Sequence, residues 1–332
     1  MPMKKFLNKP VNLVAELLEG FVLANADKLK LAGTNLVVRT NPKSKNKVAL
    51  VTLGGSGHEP ALSGFVGYGM LDISVPGEIF AAPGPPRVIE ALRLANRPAG
   101  VLFVVLNHAG DVMTANIVME MAKKEGLNVK QILTHEDIST GPRDNPDERR
   151  GLVGALPVIK VAGAAAEQRR SLDDCLAIAT RMEANSATLA VAVSGATHPC
   201  TGEPIATFAD DEMVVGMGQH GEAGTGSQKL ASADKTAEIM LPMLLDDLKI
   251  KPGEQVLALL NGVGSTTLME LYLVLRRINQ LLAEKKISLA RSLVGQFLTV
   301  QEMGGFQMFI ARMDPELLRL WDAPCNTPAL TK

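Results

Sequence analysis

The stretch VALVTLGGSGHEP at residues 48–60 joins a short apolar run directly to a glycine-rich polar turn. Continuous apolar runs of this length are typical of strands that are buried on both faces of a sheet. Similar runs occupy residues 101–106, 189–193 and 256–260. Between the runs, apolar residues recur at helical spacing: Leu13, Leu17, Leu18 and Phe21 in one segment, and Val112, Met113, Ile117 and Met121 in another. The alternation of strands and helices predicts an α/β fold.

The length of 332 residues suggests two domains, because a domain takes roughly 150 residues. Residues 141–150 hold turn formers and charges without an apolar period, so we expect an exposed loop there. A helical pattern covers residues 158–184, and we place the domain boundary at its end. We predict two α/β domains with predominantly buried sheets flanked by helices. Residues 1–184 would form the N-terminal domain, and residues 185–332 would form the C-terminal domain, which carries His220.

A further helix is predicted from Leu268 to Leu282. Thr267 precedes it and Glu270 follows three residues later, which is the spacing of a capping box. The threonine and the glutamate can therefore satisfy backbone N–H groups of the first turn reciprocally.

The composition excludes several classes of function. Lys and Arg number 34 against 35 Asp and Glu, so the net charge of −1 supplies no field that would attract nucleic acid phosphates or anionic lipid. Aromatic residues make up only 4% of the chain, which argues against a platform for base stacking. No apolar run reaches the roughly 18 residues needed to cross a bilayer. We therefore expect neither nucleic acid nor membrane as a partner.

The three cysteines, Cys175, Cys200 and Cys325, are odd in number and far apart. This pattern fits neither a disulfide framework nor paired metal-binding knuckles. The first ten residues carry Lys4 and Lys5 but no apolar core of a signal peptide. We therefore expect a cytoplasmic protein without a metal site.

Polar, glycine-rich turns follow the apolar runs at residues 53–60, 106–111 and 261–265. In open α/β sheets, ligands bind beyond the carboxyl ends of strands, where glycine lets the backbone approach a ligand. The first two turns are therefore candidate sites. The alternative is that their glycines only make tight turns between strand and helix. His58 is either an acid and hydrogen-bond donor or a turn cap, and Asp111 lies where a helix N-cap is expected.

The other histidines differ in their surroundings. His108 and His198 lie in predicted loops and His135 follows a strand-like run, so we expect surface or packing roles for them. The segment GMGQHG at residues 216–221 formally matches the dinucleotide fingerprint, but no apolar helix follows, so we reject a dinucleotide site. No P-loop motif is present in the sequence either. His220 is set among glycines, and a neutral imidazole there could attack a carbonyl carbon.

Several motifs together closely resemble the substrate-binding subunit family of dihydroxyacetone kinases. The resemblance is carried by residues 54–60, 110–113, 149–151, 161–166, 219–222 and 261–264, and by the two ends of the chain at residues 3–8 and 322–328. These motifs occur in order along the whole chain. Chance similarity is an insufficient explanation for so many separate matches.

The resemblance implies a chemical role for individual residues. In that family, the histidine at the position of His220 forms a covalent hemiaminal with the ketone carbon of a short ketose, a step that excludes polyols. The family residues at His58 and Asp111 bind substrate hydroxyls and help to move protons. Gly55, through its backbone, together with Ser56 and Gly57 would complete the substrate site.

The resemblance also implies partners. Family members form homodimers and lack a nucleotide site. A separate helical subunit brings ATP, or ADP that is recharged by a phosphotransferase relay. We therefore expect a phosphotransferase subunit that is active only with a nucleotide-binding partner, and no cofactor bound by this chain.

Three positions depart from the family pattern. Leu106 replaces a lysine, Ala82 replaces a serine and Leu53 replaces the first glycine of the glycine-rich turn. A hydrogen bond to a charged group contributes roughly 1.5–3 kcal/mol, so the loss of such contacts leaves the ketose open between dihydroxyacetone and a four-carbon ketose. The departures also leave room for an alternative function, a ketose-binding sensor or co-regulator of the same fold without phosphoryl transfer.

Overall fold

The structure is a computed structural model that describes residues 4–218, 222, 224 and 226–332. The chain forms two compact units, each made of separate segments. The N-terminal unit contains Lys4–Thr134, Ala155–Met182 and Arg319–Lys332, and the C-terminal unit contains His135–Gly154 and Glu183–Leu318. This division differs from the predicted contiguous domains, because residues 135–154 lie with the C-terminal unit and the end of the chain lies with the N-terminal unit.

Strands and helices alternate along the chain. The strands are β1 (Leu29–Ala32), β2 (Leu36–Arg39), β3 (Ala49–Ser56), β4 (Ile73–Ile79), β5 (Val101–Leu106), β6 (Val129–Thr134), β7 (Ser186–Ser194), β8 (Glu212–Val215), β9 (Gly226–Lys229), β10 (Gln255–Gly262), β11 (Ser288–Gly295) and β12 (Gly304–Arg312). The helices are α1 (Leu13–Ala24), α2 (Pro85–Ala95), α3 (Ala109–Lys124), α4 (Ala155–Glu167), α5 (Leu172–Ala184), α6 (Ala233–Leu248), α7 (Leu268–Glu284) and α8 (Pro315–Asp322). Short 3-10 turns lie at Pro10–Asn12, Ser63–Phe65 and Pro146–Glu148.

The sheet of the N-terminal unit has the strand order β1-β2-β4-β3-β5-β6. Strands β4, β3, β5 and β6 run parallel, whereas β1 and β2 are antiparallel additions at one edge. Every residue of β5 is buried, as expected for a central parallel strand with helices on its faces. The predicted apolar strands at residues 48–53 and 101–106 are confirmed.

The sheet of the C-terminal unit has the order β11-β10-β12-β7-β8-β9. Only β10 and β11 pair in parallel, and the remaining neighbours are antiparallel. Helices α6 and α7 contribute buried leucines and methionines to the core of this sheet. The predicted α/β class, with buried sheets flanked by helices, is confirmed for both units.

The helical pattern at residues 158–184 proves to be two helices, so the prediction of one continuous helix is wrong. The chain leaves α4 after Glu167, and Arg169 takes a left-handed conformation with φ of 62°. Ser171 then caps α5, because its Oγ accepts a hydrogen bond from Asp174 N at 3.1 Å. The polar stretch Gln168 to Ser171 cannot continue the buried face of α4, which explains the break.

Helix α3 forms as predicted, but it buries a different face. Met113 and Ile117 are exposed, whereas Ala115, Val118 and Ala122 are buried in the core of the N-terminal unit. Small side chains allow the helix to approach the sheet and α2 closely. Met113 and Ile117 therefore point away from the core, whereas Met119 and Met121 are half-buried and pack against it.

Two local predictions have opposite outcomes. The capping box of α7 is confirmed, since Thr267 N donates to Glu270 Oε2 at 2.8 Å and Glu270 N donates to Thr267 Oγ1 at 3.4 Å. The loop at residues 141–150 is irregular, as predicted, but its last residues Arg149 and Arg150 are buried rather than exposed. No helix in the described part of the chain is both long and apolar enough to cross a membrane.

Candidate functional site

Neighbouring parallel strands place three turns at one edge of the sheet in the N-terminal unit. Strand β3 pairs with β4 on one side and with β5 on the other, all in parallel. The carboxyl ends of the three strands therefore meet at the same edge. The turns that follow them contain residues 80–84, 57–60 and 107–108, and α3 starts directly after the last of these.

The glycine-rich turn after β3 is fastened to the turn after β4. Phe80 N donates to Ser56 O at 2.8 Å, and Ser56 Oγ donates to Gly77 O at 2.7 Å. A Cβ atom at Gly55 would lie 2.8 Å from Ala81 N, so only glycine permits this approach of two backbones. The predicted site residues Gly55 and Ser56 therefore hold two turns of the edge together.

His58 is buried, with 5% of its surface exposed. Its ring centroid lies 5.0 Å from that of Phe80, at an interplanar angle of 48°. Gly57 has φ of +101°, and a Cβ there would lie 2.8 Å from the Phe80 ring. Packing against Phe80 therefore restricts the orientation of the imidazole, and the glycine beside it leaves room for the ring.

Glu59 is a residue of this turn that the sequence did not single out. Gly57 N donates to Glu59 Oε1 at 2.9 Å. Burial raises the pKa of the Glu59 carboxyl above its usual range, while this hydrogen bond opposes the rise. Its position directly after His58 was the one feature of the sequence that could have identified Glu59 as a residue of the candidate site.

Asp111 lies in the first turn of α3 and is buried, with 9% of its surface exposed. The N-cap residue is His108, so the prediction that Asp111 occupies the N-cap position is wrong. A carboxylate in the first helical turn is stabilised by the positive end of the helix dipole. Thr114 Oγ1 donates to Pro83 O at 3.2 Å, which ties the start of α3 to the turn after β4.

Leu106 and Ala82, which depart from the family pattern, belong to the same edge. Leu106 ends β5 and is buried, whereas Ala82 is half-buried in the turn after β4. A Cβ at Gly110 would lie 3.3 Å from Ala82 Cβ, so this turn contacts the start of α3. Apolar side chains therefore stand at both positions where the family pattern has a lysine or a serine.

His220 lies outside the described residues, so its role stays a prediction. The structure does describe Gly218 and Glu222 on either side, and Gly218 N donates to Glu222 O at 3.1 Å. Both residues belong to the C-terminal unit. The residues predicted for the site are thus divided between the edge described above and this segment.

The remaining histidines have structural partners. His135 Nδ1 lies 2.6 Å from Glu183 Oε1, and this hydrogen bond raises the pKa of the imidazole. His198 Nδ1 accepts from Cys200 N at 3.2 Å. Within residues 4–218, 222, 224 and 226–332, no group of three His, Cys, Asp or Glu side chains could hold a metal ion.

Comparisons with known proteins place the chain in a family. Residues 19–329 match the Dak1 domain. The dihydroxyacetone-binding subunit DhaK of a PTS-dependent dihydroxyacetone kinase from Listeria innocua is 36% identical over 95% of this chain and 95% of its own length. An L-erythrulose kinase from Pectobacterium atrosepticum is 35% identical over 99% of this chain and 56% of its own length.

A solved structure extends this similarity to the fold. The dihydroxyacetone kinase operon co-activator Dha-DhaQ has a TM-score of 0.88 and 30% identity, covering 95% of this chain and 96% of its own. Both the sequence match and the structural match cover nearly the whole chain. The chain therefore belongs to the Dak1 domain family, as a chain of the DhaK type.

Proposed function

We propose that this chain is the ketose-binding subunit of a dihydroxyacetone-type kinase, and that it presents a captured ketose to a nucleotide-binding subunit. The proposal is carried by one observation, the joined turns at the carboxyl edge of the N-terminal sheet in a DhaK-type chain. That edge holds His58 and Asp111 with the glycines that a backbone-lined substrate site requires. The relative from Listeria innocua is named as a dihydroxyacetone-binding subunit, which supports the same role here.

The proposed capture is an addition of His220 to the ketone. A neutral ring nitrogen attacks the carbonyl carbon, and the π electrons of the carbonyl move to its oxygen, which takes up a proton. The other ring nitrogen releases its proton, so the imidazole stays neutral in the hemiaminal. Nothing leaves the ketose in this step, and a polyol such as glycerol has no electrophilic carbon that could take part.

His58 and Asp111 would act on the ketose hydroxyls. A buried imidazole restricted by Phe80 can donate to or accept from one hydroxyl in a defined direction. The carboxylate of Asp111 would accept the proton of the hydroxyl that attacks the phosphoryl group. The backbone of Gly55 and Gly57, with Ser56 between them, would line the same site.

Phosphoryl transfer would need a second protein. It requires a site that cradles nucleotide phosphates with metal ions or basic groups, and the sequence contains no P-loop and no kinase glycine loop. The partner would be a helical subunit carrying ATP, or ADP recharged by a phosphotransferase relay. A homodimer of this chain and a cytoplasmic location remain part of the same proposal.

The substrate would be dihydroxyacetone or a four-carbon ketose. Leu106 and Ala82 remove polar contacts expected for the family and enlarge the apolar part of the edge. The similarity to an L-erythrulose kinase favours including four-carbon ketoses among the candidates.

A second function is a ketose sensor without phosphoryl transfer, favoured by the similarity to the co-activator Dha-DhaQ. The test is phosphorylation of dihydroxyacetone, both erythrulose enantiomers and glycerol by the purified chain, with and without nucleotide-binding subunits from ATP-dependent and phosphotransferase-dependent kinases. We expect no turnover by the chain alone, turnover of a ketose with one partner, and none of glycerol.

Three outcomes would count against this assignment. Turnover by the chain alone would contradict the need for a partner. Equal activity of a His220→Ala variant would contradict covalent capture. Ketose binding without turnover in the presence of every partner would favour the sensor.

A further inference from the structure

The segment of residues 324–332 folds back on itself within the N-terminal unit. Cys325 N donates to Lys332 O at 3.2 Å, and Lys332 N donates to Cys325 O at 3.0 Å. Between them, Thr327 N donates to Leu330 O at 3.0 Å, and Leu330 N donates to Thr327 Oγ1 at 3.0 Å. Cys325, Thr327 and Leu330 are all buried. The segment therefore holds a fixed shape of its own.

The 324–332 segment is fastened to the loop that follows the glycine-rich turn. Ala329 N donates to Gly64 O at 3.0 Å, and Asn326 N donates to Tyr68 O at 2.9 Å. A Cβ at Gly67 would overlap Asn326 O, so the two backbones meet there without an intervening side chain. Two hydrogen bonds and one backbone contact thus join residues 64–68 to the segment.

Gly64 in turn contacts the turn that carries His58. Gly64 N donates to Pro60 O at 2.6 Å, and Ala61 N donates to His58 O at 3.1 Å. A Cβ at Gly64 would lie 2.7 Å from Pro60 Cβ on one side and 3.3 Å from Ala329 Cβ on the other. A continuous series of contacts therefore runs from Ala329 through Gly64 to the backbone of His58.

We propose that the 324–332 segment positions His58 in the substrate site by holding Gly64 against Pro60. The Phe80 ring contacts the imidazole itself, whereas the segment fixes the backbone from which the imidazole extends. Both constraints act together, because a side chain moves with its backbone. This inference rests on the proposed role of His58 toward the ketose hydroxyls. A displacement of about 1 Å in a group that orients a substrate costs about 100-fold in rate.

The test adds one methyl group between Pro60 and Ala329. Gly64 lies in the 3-10 turn Ser63–Phe65 and its φ is not positive, so Gly64→Ala adds no backbone strain. Carbon atoms pack at about 3.5–4.0 Å, so the new Cβ must displace a neighbour, and Pro60 alone would have to move by about 1 Å. If the segment holds its place, Pro60 moves and carries His58 with it. If the segment yields instead, His58 keeps its position.

Two further variants identify the source of the effect. Ala329→Gly removes the methyl group on the side of the segment and keeps the N–H group that donates to Gly64 O. We expect it to rescue most of the defect in the double variant with Gly64→Ala, since the new methyl group can then move away from Pro60. The control is Gly163→Ala in α4, which adds a buried methyl group against Gly69 of the same loop. A merely structural effect of a destabilised loop would appear equally in this control.

The main measurement is the 1H–13C NMR spectrum of the His58 ring, assigned with a His58→Asn variant. Its signals report the distance to the Phe80 ring, because the shift that an aromatic ring causes falls steeply with distance. We expect these signals to shift in Gly64→Ala, to return toward the wild-type positions in the double variant, and to stay unchanged in Gly163→Ala. Partner-dependent turnover of dihydroxyacetone should fall about 100-fold in Gly64→Ala and far less in Gly163→Ala. Unchanged His58 signals in Gly64→Ala, equal shifts in Gly163→Ala, or no rescue in the double variant would overturn the proposal.

A variant that adds no methyl group beside Pro60 serves if Gly64→Ala fails to fold. Ala329→Pro removes the N–H group that donates to Gly64 O. We expect faster amide hydrogen exchange at Ala61 and Gly64 in this variant. The control is Lys332→Met, which loses the contact of the ammonium group with the Trp321 ring at 4.2 Å and should leave exchange at these two amides unchanged.

Unchanged exchange at Ala61 and Gly64 in Ala329→Pro would contradict the proposal. The exchange rates and the His58 signals do not depend on ketose chemistry. Absence of ketose turnover by the wild type with every partner would therefore refute the proposed function, while these two measurements would still decide whether the 324–332 segment positions His58.

Discussion

Replacing Glu136 with glutamine should remove a pH-dependent loss of stability from the C-terminal unit. Glu136 is fully buried, and its Oε1 accepts from Leu152 N and Gly154 N, each at 2.8 Å, and from Thr188 Oγ1 at 3.3 Å. Burial raises the pKa of this carboxyl from 4.5 to about 7, despite the backbone donors that favour the charged form. The folded protein therefore holds a proton that the unfolded chain has already released near neutral pH.

The sign and the size of the effect follow from this difference. A raised pKa stabilises the folded state fully below the unfolded value of 4.5, and the stabilisation is lost as the pH rises through about 7. The difference between the pKa values of the folded and unfolded states corresponds to about 3 kcal/mol of unfolding free energy. Glutamine keeps a carbonyl oxygen for the donors of Leu152 and Gly154 but cannot ionise, so the variant should not show this loss.

The assay is urea unfolding of the wild type and Glu136→Gln at several pH values between about 5 and about 8.5. We expect the variant to gain about 2.5 kcal/mol relative to the wild type across this range, because the carboxyl of the unfolded chain is already mostly ionised at its lower end. His135 has a pKa raised by its hydrogen bond with Glu183 and contributes in the same direction, so both proteins are also compared in a His135→Asn background. A free-energy difference between the two proteins that is constant with pH would refute the reasoning.

Three further variants test the candidate site and the fold. Asp111→Asn should lower partner-dependent phosphorylation at least about 100-fold with little change in the urea midpoint, because it removes a base and keeps the shape; a normal rate would make Asp111 structural only. Gly57→Ala should cost more stability than Gly126→Ala, by about 1–3 kcal/mol in urea unfolding, because both glycines have positive φ but only Gly57 lies against the Phe80 ring; equal losses would contradict this contact. Thr267→Ala should cost about 1 kcal/mol through loss of the capping box, and an unchanged unfolding free energy would show that solvent replaces the cap.

Local patterns were sufficient to predict much of the fold. The run at residues 101–106 became β5 with the predicted bounds, because continuous burial on both faces requires uninterrupted apolar residues. The start of α7 was predictable because a capping box acts within four residues. These features depend on neighbours in sequence, and neighbours are what a sequence pattern records.

Features that depend on distant residues were not predictable. Arg149 and Arg150 end a charged stretch that is typical of an exposed loop, yet both are buried. Arg149 pairs with Asp247, which lies 98 positions later, and Arg150 pairs with Asp137 at the other end of the same loop. A periodic pattern in the nearby sequence cannot identify partners that lie so far away. The burial of these two arginines is therefore seen only in the folded structure.

In the candidate site, too, features set by nearby residues were predictable and contacts between distant residues were not. The glycine-rich turn and the Asp111 turn were recognised because each follows an apolar strand, and the parallel order β4-β3-β5 brings them to one edge. The contribution of Phe80 was missed, because its contact with His58 requires the pairing of β3 with β4. An aromatic residue after a strand carries no signal of that pairing.

The apolar residues at Leu106 and Ala82 change how the proposed subunit would select its substrate. The charged hydrogen bond of a lysine at the position of Leu106 would have contributed about 1.5–3 kcal/mol, and the neutral one of a serine at Ala82 about 0.5–1.5 kcal/mol, so noncovalent recognition of a ketose should be weaker by about an order of magnitude or more. Covalent addition does not depend on those contacts, because it requires only the electrophilic carbon and an aligned imidazole. Discrimination between ketose and polyol should therefore survive. Discrimination between three-carbon and four-carbon ketoses should weaken, because the replaced lysine and serine could have formed hydrogen bonds with hydroxyls at particular positions.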